Sequence, residues 1–302
     1  MVQSPLNYTG GKYKLLPQIL PLFPEKIECF VDLFCGGCNV GINVKAERYI
    51  YNDCCEPLVH LYSVMQKMDP EVFISKTEAI IKNYGLSDVK RQGYDFYHCK
   101  SSEGLSSYNR DRYLRLRDDF NALKFRDSEY DIALYVLIVY SFNNQIRFNK
   151  NGAFNLPVGK RDFNQKMHSK LKTFLNIIQN QKAFISCADF RKVDMRGLTE
   201  RDFVYADPPY LITCAAYNEQ GGWTGSDERD LLEVLDELSG RGVKFALSNV
   251  LESKGKENTI LRQWLEARPD YHRIDLTYSY RNSSYQRHNK EKKTREILVI
   301  NY

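Results

Sequence analysis

The run Val204-Tyr205-Ala206-Asp207-Pro208-Pro209-Tyr210 sets an acid, two prolines and an aromatic ring directly behind an apolar stretch. Phe203 to Tyr205 reads as a buried strand, and proline has no N–H to give to a ladder, so pairing must stop near Asp207. Two readings fit. Proline after a strand is ordinary punctuation for a turn. Alternatively, Pro208 and Pro209 hold the backbone rigid at the carboxyl end of a strand, where open α/β sheets bind their ligands. Asp207 then supplies a fixed hydrogen-bond acceptor and Tyr210 a flat apolar face.

A second constellation lies in Phe30 to Gly41, FVDLFCGGCNVG. Asp32 leaves the end of an apolar run, and glycines at 36 and 37 let a backbone approach a ligand without a Cβ clash. The pattern is not GxGxxG, which removes the case for a pyrophosphate. Asp53, one strand later, stands where doubly wound folds place an acid on ribose hydroxyls. A nucleoside without phosphate therefore fits better than a dinucleotide, with a plain glycine turn and capping acids as the competing reading. Cys35 and Cys38 form a CxxC that no second CxxC or His pair completes, so buried thiols beside a glycine loop are expected, and no metal.

These residues need a scaffold to position them. The 302 residues suffice for one large domain or two unequal ones. No apolar run is long enough to span a bilayer, no signal segment opens the chain, and eight cysteines are irregularly spread, so a cytosolic protein with reduced thiols is expected. Residues 68–181 carry 18 Lys and Arg against 13 Asp and Glu, which accounts for the whole net charge of +5. A phosphate-contacting insert and a helical segment with solvated charges both show such an excess.

The pattern predicts strands at Phe30–Phe34 and Tyr49–Asp53 and a helix from Pro57 to Met68. Charged amphipathic helix follows from 69 to about 140, including Tyr108–Lys124. Gln145 to Phe154 alternates, and Asn151-Gly152 marks a hairpin. Strand patterns resume at Phe184–Cys187, Asp202–Ala206, Val243–Ser248 and Ile297–Asn301. A helix over Asp227–Leu238 is expected with Ser226 as N-cap and Gly240 just past its end. The basic stretch Tyr285–Arg295 reads as an exposed loop, either a solvated charge run or a phosphate contact. The fold class is α/β: a doubly wound Rossmann-like sheet with a mainly helical insert carrying a β-hairpin.

In combination these features resemble the Dam-type DNA adenine methyltransferases. The resemblance begins at Pro5-Leu6-Asn7-Tyr8-Thr9-Gly10-Gly11-Lys12, similar to that family's aromatic-x-Gly-Gly-Lys segment, and runs through Asp32 and Asp53. In the insert it is carried by Asn144-Gln145-Ile146-Arg147-Phe148-Asn149 and Pro157-Val158-Gly159-Lys160-Arg161. The final third, VYADPPYLIT through Asn249 and Gly255-Lys256-Glu257-Asn258-Thr259, is most similar to the phage version.

The resemblance implies a donor, S-adenosylmethionine, bound by residues 1–67 and 182–302, and a target-recognition domain at 68–181. Tyr8 and Lys12 would close over the donor, Asp32 and Gly36 line its methionine end, Asp53 hold the ribose, and Asp189 and Phe190 flank its adenine. Asp207 would serve both donor and target amine. The acceptor would be adenine N6 in a short site of double-stranded DNA, with GATC as the leading candidate, after the base is flipped out. Asp207 and the Pro208 carbonyl would accept the two amine hydrogens, Pro209 would keep the segment rigid, and Tyr210 would stack on the base.

Arg147 and Arg161 are the candidates for guanine edges, Phe142 for a wedge, Asn143 and Gln145 for adenine or backbone, and Lys160 for the same basic run. Arg147 on a phosphate and Phe142 in the insert core are the alternatives. No metal or membrane is implied, and a monomer suffices, with a weak dimer conceivable on a palindrome. The expected location is the cytosol of a bacterium or of a phage-infected host. Other amine acceptors (cytosine N4, RNA adenine, a protein amide) and a non-catalytic DNA-binding regulator are the competing functions.

Overall fold

The computed structural model describes residues 1–8, 10–100, 102–123, 127–213, 222–277 and 294–302. In chain order its elements begin with α1 (Leu16–Ile19), β1 (Cys29–Asp32), β2 (Arg48–Asn52), α2 (Glu56–Lys67), α3 (Pro70–Tyr84), α4 (Val89–Gln92), α5 (Ser106–Ala122) and α6 (Ser128–Tyr140). They continue with α7 (Gln165–Asn180), β3 (Ala183–Ser186), β4 (Phe203–Ala206), α8 (Gly225–Gly240) and β5 (Lys244–Ser253). The last are β6 (Lys256–Glu257), α9 (Thr259–Glu266), β7 (His272–Leu276) and β8 (Arg295–Ile300). The chain divides into two compact units, one of Met1–Gly11, Gly36–Ile42 and Cys55–Gln181, the other of Lys12–Cys35, Asn43–Cys54 and Lys182–Tyr302.

The second unit holds the sheet. Its strand order is β3-β2-β1-β4-β5-β8-β7, with β6 paired to β5. The neighbours from β3 through β5 are parallel, whereas β8 is antiparallel to both β5 and β7. Strands covered on both faces need near-continuous apolar sequence, and β4, Phe203-Val204-Tyr205-Ala206, is buried at every residue. Val31, Val204, Phe245, Leu247 and Val299 pack in one cluster with Leu231, Leu232, Leu235 and Leu238 of α8. Phe30, Phe203 and Tyr205 meet the ring of Phe23. From β1 the order runs outward through β2 to β3 on one side and through β4 to β5 on the other. The β1/β4 boundary is thus the topological switch point, the place where such sheets bind ligands.

The helix α8 corrects an expected cap. Thr224, not Ser226, is the N-cap: its hydroxyl accepts from the Asp227 N–H while the Asp227 carboxylate accepts from the Thr224 N–H, a reciprocal capping box. At the other end Gly240 is still helical, and Gly242, at φ 79°, takes the left-handed position that lets the chain turn into β5. Arg295, expected in a loop, opens β8 and pairs with Asp275 at 3.0 Å; residues 285–293 of that basic stretch lie outside the described residues.

The first unit is helical. In α6 every residue from Tyr130 to Tyr140 is buried, which is why its sequence shows no polar face. Around it pack α2, α3 and α5, while α7 packs on α2 and α3. Side-chain caps start α3 (Asp69), α6 (Asp127) and α7 (Asn164). A buried polar knot joins the ends of these helices. Asn109 accepts from the Ser87 N–H, Asp162 accepts from the Val89 N–H, and the Tyr140 hydroxyl donates to the Ser87 carbonyl.

Glu228 in α8 is a buried acid held by neutral donors. It accepts from Trp223 Nε1 at 2.6 Å, Asn249 Nδ2 at 3.0 Å and Asn258 Nδ2 at 2.7 Å. Glu228→Ala leaves three donors short of an acceptor and is expected to destabilise the protein by roughly 2–4 kcal/mol, read as a lowered urea midpoint.

Candidate active site

The end of β4 delivers Asp207 to the switch point, and Pro208, which is buried, ends the ladder there. Lys12 Nζ lies 2.7 Å from Asp207 Oδ1 and 3.5 Å from Glu296 Oε1, with the lysine only 3% exposed. The Tyr210 hydroxyl lies 2.9 Å from the same Asp207 oxygen and 3.0 Å from the same Glu296 oxygen, and the ammonium sits 4.9 Å from the centre of the Tyr210 ring. Glu296 reaches this edge because β8 is antiparallel: its first residues lie where β4 and β5 finish, with Glu296 opposite Val250 at a register shift. Burial pushes the Asp207 carboxyl above the usual aspartate range, Glu296 adds to that, and Lys12 opposes it. Burial and the two carboxylates likewise raise the Tyr210 phenol.

Beside this quartet, Asp32 ends β1 and Asp53 follows β2, 2% and 7% exposed. Asn52 holds these strand ends together. Its Nδ2 donates to the carbonyls of Leu33 and Ala188, and its Oδ1 accepts from the Ala188 N–H. The loop so fixed carries Asp189 and Phe190. Phe190 is buried, its ring 5.5 Å from both Phe34 and Trp223. The Asp189 carboxylate is turned onto Arg191 at 2.9 Å, and Arg191 also binds Asp227 and Asp230 in the first turns of α8.

In the helical unit, Tyr8 lies on the glycine loop. A Cβ on Gly36, at φ 45°, would come within 3.0 Å of the Tyr8 ring, so the glycine lets that ring lie close against the loop backbone. The carbonyl of Gly36 accepts from the Tyr62 hydroxyl at 2.5 Å. The neighbouring Asn7 donates to the Asn143 carbonyl at 2.6 Å, which ties the N-terminal segment to the root of the hairpin.

That hairpin differs from a regular ladder. Its pairing is limited to the isolated bridges Phe148↔Phe154 and Ser141↔Val158. Gly152, at φ 75°, closes a turn over Lys150 and Asn151, neither of which has positive φ, with its N–H on the Asn149 carbonyl and Asn149 Oδ1 accepting from the N–H groups of Asn151 and Ala153. Asn151-Gly152 is thus not a two-residue mirror-image turn. Arg147 is folded back, Nε on Asn155 Oδ1 at 2.7 Å. Phe142 is 49% exposed, Asn143 takes φ 56° in a 3-10 turn, and Gln145 is half-buried. Lys160 donates to the Ser102 carbonyl at 2.6 Å, and Arg161 is exposed. The backbone of Gly159 lies against Ser141, which brings the Phe142-Asn143 and Lys160-Arg161 segments together.

Glu296, Asn52, Phe34 and Trp223 were not among the expected site residues. Of these only Trp223, one of two tryptophans, carries a compositional hint. No cluster of three or more His, Cys, Asp or Glu side chains suited to a metal occurs among the described residues, and none of their helices is long and apolar enough to cross a membrane.

The profile of the D12 class N6 adenine-specific DNA methyltransferases matches residues 8–280. The modification methylase StsI of Streptococcus sanguinis is 38% identical over 100% of this chain and 43% of its own length. The type II methyltransferase M.FokI of Planomicrobium okeanokoites is 39% identical over the same shares. This chain therefore spans under half the length of those two relatives. The DNA adenine methylase of Escherichia coli K12 is 25% identical over 98% of this chain and 94% of its own.

A Cβ at position 159 would fall 2.2 Å from the Ser141 carbonyl oxygen. Gly159→Ala must force the two segments apart and is expected to cost about 2 kcal/mol or more in chemical denaturation.

Proposed function

The chain belongs to the D12 class N6 adenine-specific DNA methyltransferase family, and we propose that it transfers a methyl group to adenine N6 in a short site of double-stranded DNA. Methyltransferases of this family use S-adenosylmethionine, which supplies an electrophilic methyl group. The observation that carries the reading is the largely buried Asp207 carboxylate, set at the switch point of the sheet with a rigid proline segment behind it and an aromatic ring three residues on.

An exocyclic amine conjugated into adenine is a poor nucleophile. Acceptance of its two hydrogens by Asp207 and the Pro208 carbonyl draws the nitrogen toward tetrahedral geometry and aims its lone pair. Pro209 limits relaxation of these acceptors, and Tyr210 offers a stacking face to a base flipped from the duplex. One N–C bond forms, one C–S bond breaks and one amine proton leaves. Asp207 is the acceptor for that proton, and its raised proton affinity suits the task.

For the donor, two buried carboxylates at the ends of β1 and β2, with the Phe34 and Phe190 rings nearby, fit an amino acid end, a ribose and a base. We assign Asp32 to the methionine end, Asp53 to the ribose, and Asp189 and Phe190 to the adenine; Tyr8, Lys12 and Gly36 complete the proposed donor contacts. Residues 1–67 and 182–302 form the proposed donor-binding region and 68–181 the recognition domain.

Phe142, Asn143, Gln145, Arg147, Lys160 and Arg161 form the proposed DNA contacts. The hold of Asn155 on the Arg147 guanidinium supports a reader of fixed orientation. GATC follows from the Dam-type resemblance. A different adenine site is the second reading, favoured by the higher identity to the two modification methylases (38 and 39%) than to the Escherichia coli enzyme (25%). A monomer suffices, acting wherever its DNA lies, in a bacterial or phage-infected cytosol.

Asp207→Asn is expected to lower turnover at least roughly 10³-fold while leaving duplex affinity within about threefold. Retained turnover in the purified variant contradicts the assignment. In the wild type the ionised carboxylate is the active form, and burial lifts its pKa. Activity should be full above that raised value and fall as pH drops through it, with the acid limb of kcat above the ordinary aspartate range.

A further inference from the structure

Asp207 as the amine acceptor, the functional reading on which this inference rests, raises a difficulty. Its Oδ1 already has Lys12 at 2.7 Å and the Tyr210 hydroxyl at 2.9 Å. An ionised carboxylate oxygen offers two lone-pair positions; the ammonium uses one, and the phenol uses the other whenever its proton points to Asp207. A target amine must therefore displace a partner from this oxygen or use the other. If Lys12 is displaced, its ammonium, 3% exposed, loses the carboxylate now 2.7 Å away, and an anion already close by can make good that loss.

Glu296 meets that need. Its Oε1 faces the same two groups that hold Asp207 Oδ1, the ammonium at 3.5 Å and the phenol oxygen at 3.0 Å. The phenol has one proton and can donate it to only one of the two carboxylates at a time. A shift of about 0.7 Å brings the ammonium to the distance usual for a charged hydrogen bond with Glu296. We propose that Glu296 is a positioning residue that takes over Lys12 and the Tyr210 hydroxyl when the target amine reaches Asp207. Asp207 is released to the substrate, and the buried cation keeps an anion beside it throughout.

The groups facing this exchange come from several elements. Lys12 lies in a 3-10 turn, Asp207 and Tyr210 follow β4, Tyr205 lies in β4, Asp32 ends β1 and Ser248 lies in β5. Among them Lys12 is the cation. Glu296 and Lys12 have opposite effects on Asp207: the carboxylate makes it harder to ionise, the ammonium easier.

The test measures kcat, KM for S-adenosylmethionine and the pH profile on methyl-free plasmid DNA for the wild type, Glu296→Gln, Glu296→Asp, Lys12→Met and the Lys12→Met/Glu296→Gln pair. Donor affinity by calorimetry and thermal melting establish that each variant is folded. The proposal expects kcat of Glu296→Gln to fall roughly 10- to 100-fold with KM within about threefold. Its acid limb moves to lower pH, because a neighbouring negative charge is gone, and Glu296→Asp recovers most of the rate. The double variant falls no more than about threefold below Lys12→Met alone, since without the ammonium only the Tyr210 hydroxyl is left to hand over. A Glu296→Gln kcat within twofold of wild type overturns the exchange and leaves the methyltransferase reading intact. A rate loss with an unmoved acid limb, or with additive effects in the double variant, also overturns it. A folded wild type that binds donor but methylates no adenine brings down the functional reading and the exchange together.

Discussion

The buried contact between Lys12 and Asp207 is the constraint around which the candidate site is organised. Burial at the end of a strand works against the ionised form of Asp207, and holding the Lys12 ammonium almost entirely out of water carries a desolvation cost. Each makes the other tolerable, and removal of one partner from such a pair typically costs about 3–5 kcal/mol. Much of the surrounding architecture can be read as what this pair requires. Consecutive prolines end the ladder at Asp207, a short 3-10 turn presents Lys12, and an antiparallel strand brings a second acid to the edge where the parallel strands finish.

Around that pair, polar side chains do locally what the apolar core does globally. Asn52 fixes the ends of β1 and β2 and the loop after β3. Glu228 anchors the indole of Trp223, whose ring lies against Phe34 and Phe190. In the helical unit, the Ser87, Asn109, Tyr140 and Asp162 knot plays a corresponding part, and Gly159 sets the root of the hairpin against Ser141. Each satisfies buried donors and acceptors that would otherwise oppose folding, and each limits how far a neighbouring candidate residue can wander.

Much of this was legible where the cause is local. The prolines behind Phe203-Val204-Tyr205 marked the strand end, and continuous apolar runs marked β1, β2, β4, β5 and β8. Thr224 was legible in principle, because Thr-x-x-Asp is itself the capping signal, yet Ser226 is an equally good cap residue until the reciprocal bond is considered. The turn at Gly152 depends on Asn149, two residues before the dipeptide that drew attention. Glu296 was not legible. An acid at the start of REILVI reads as a solvated strand end, and only the direction of β8 relative to β4 and β5 brings it to Asp207. Strand direction is a property of the whole sheet, and no window of sequence contains it.

The most direct test of the central claim is to incubate the purified protein with methyl-free plasmid and S-adenosylmethionine, then map adenine and cytosine modification at every position by single-molecule sequencing. The account predicts N6-methyladenine confined to one short motif, with no modified cytosine. Cytosine modification, or an unmodified plasmid from protein shown to bind the donor, would contradict it.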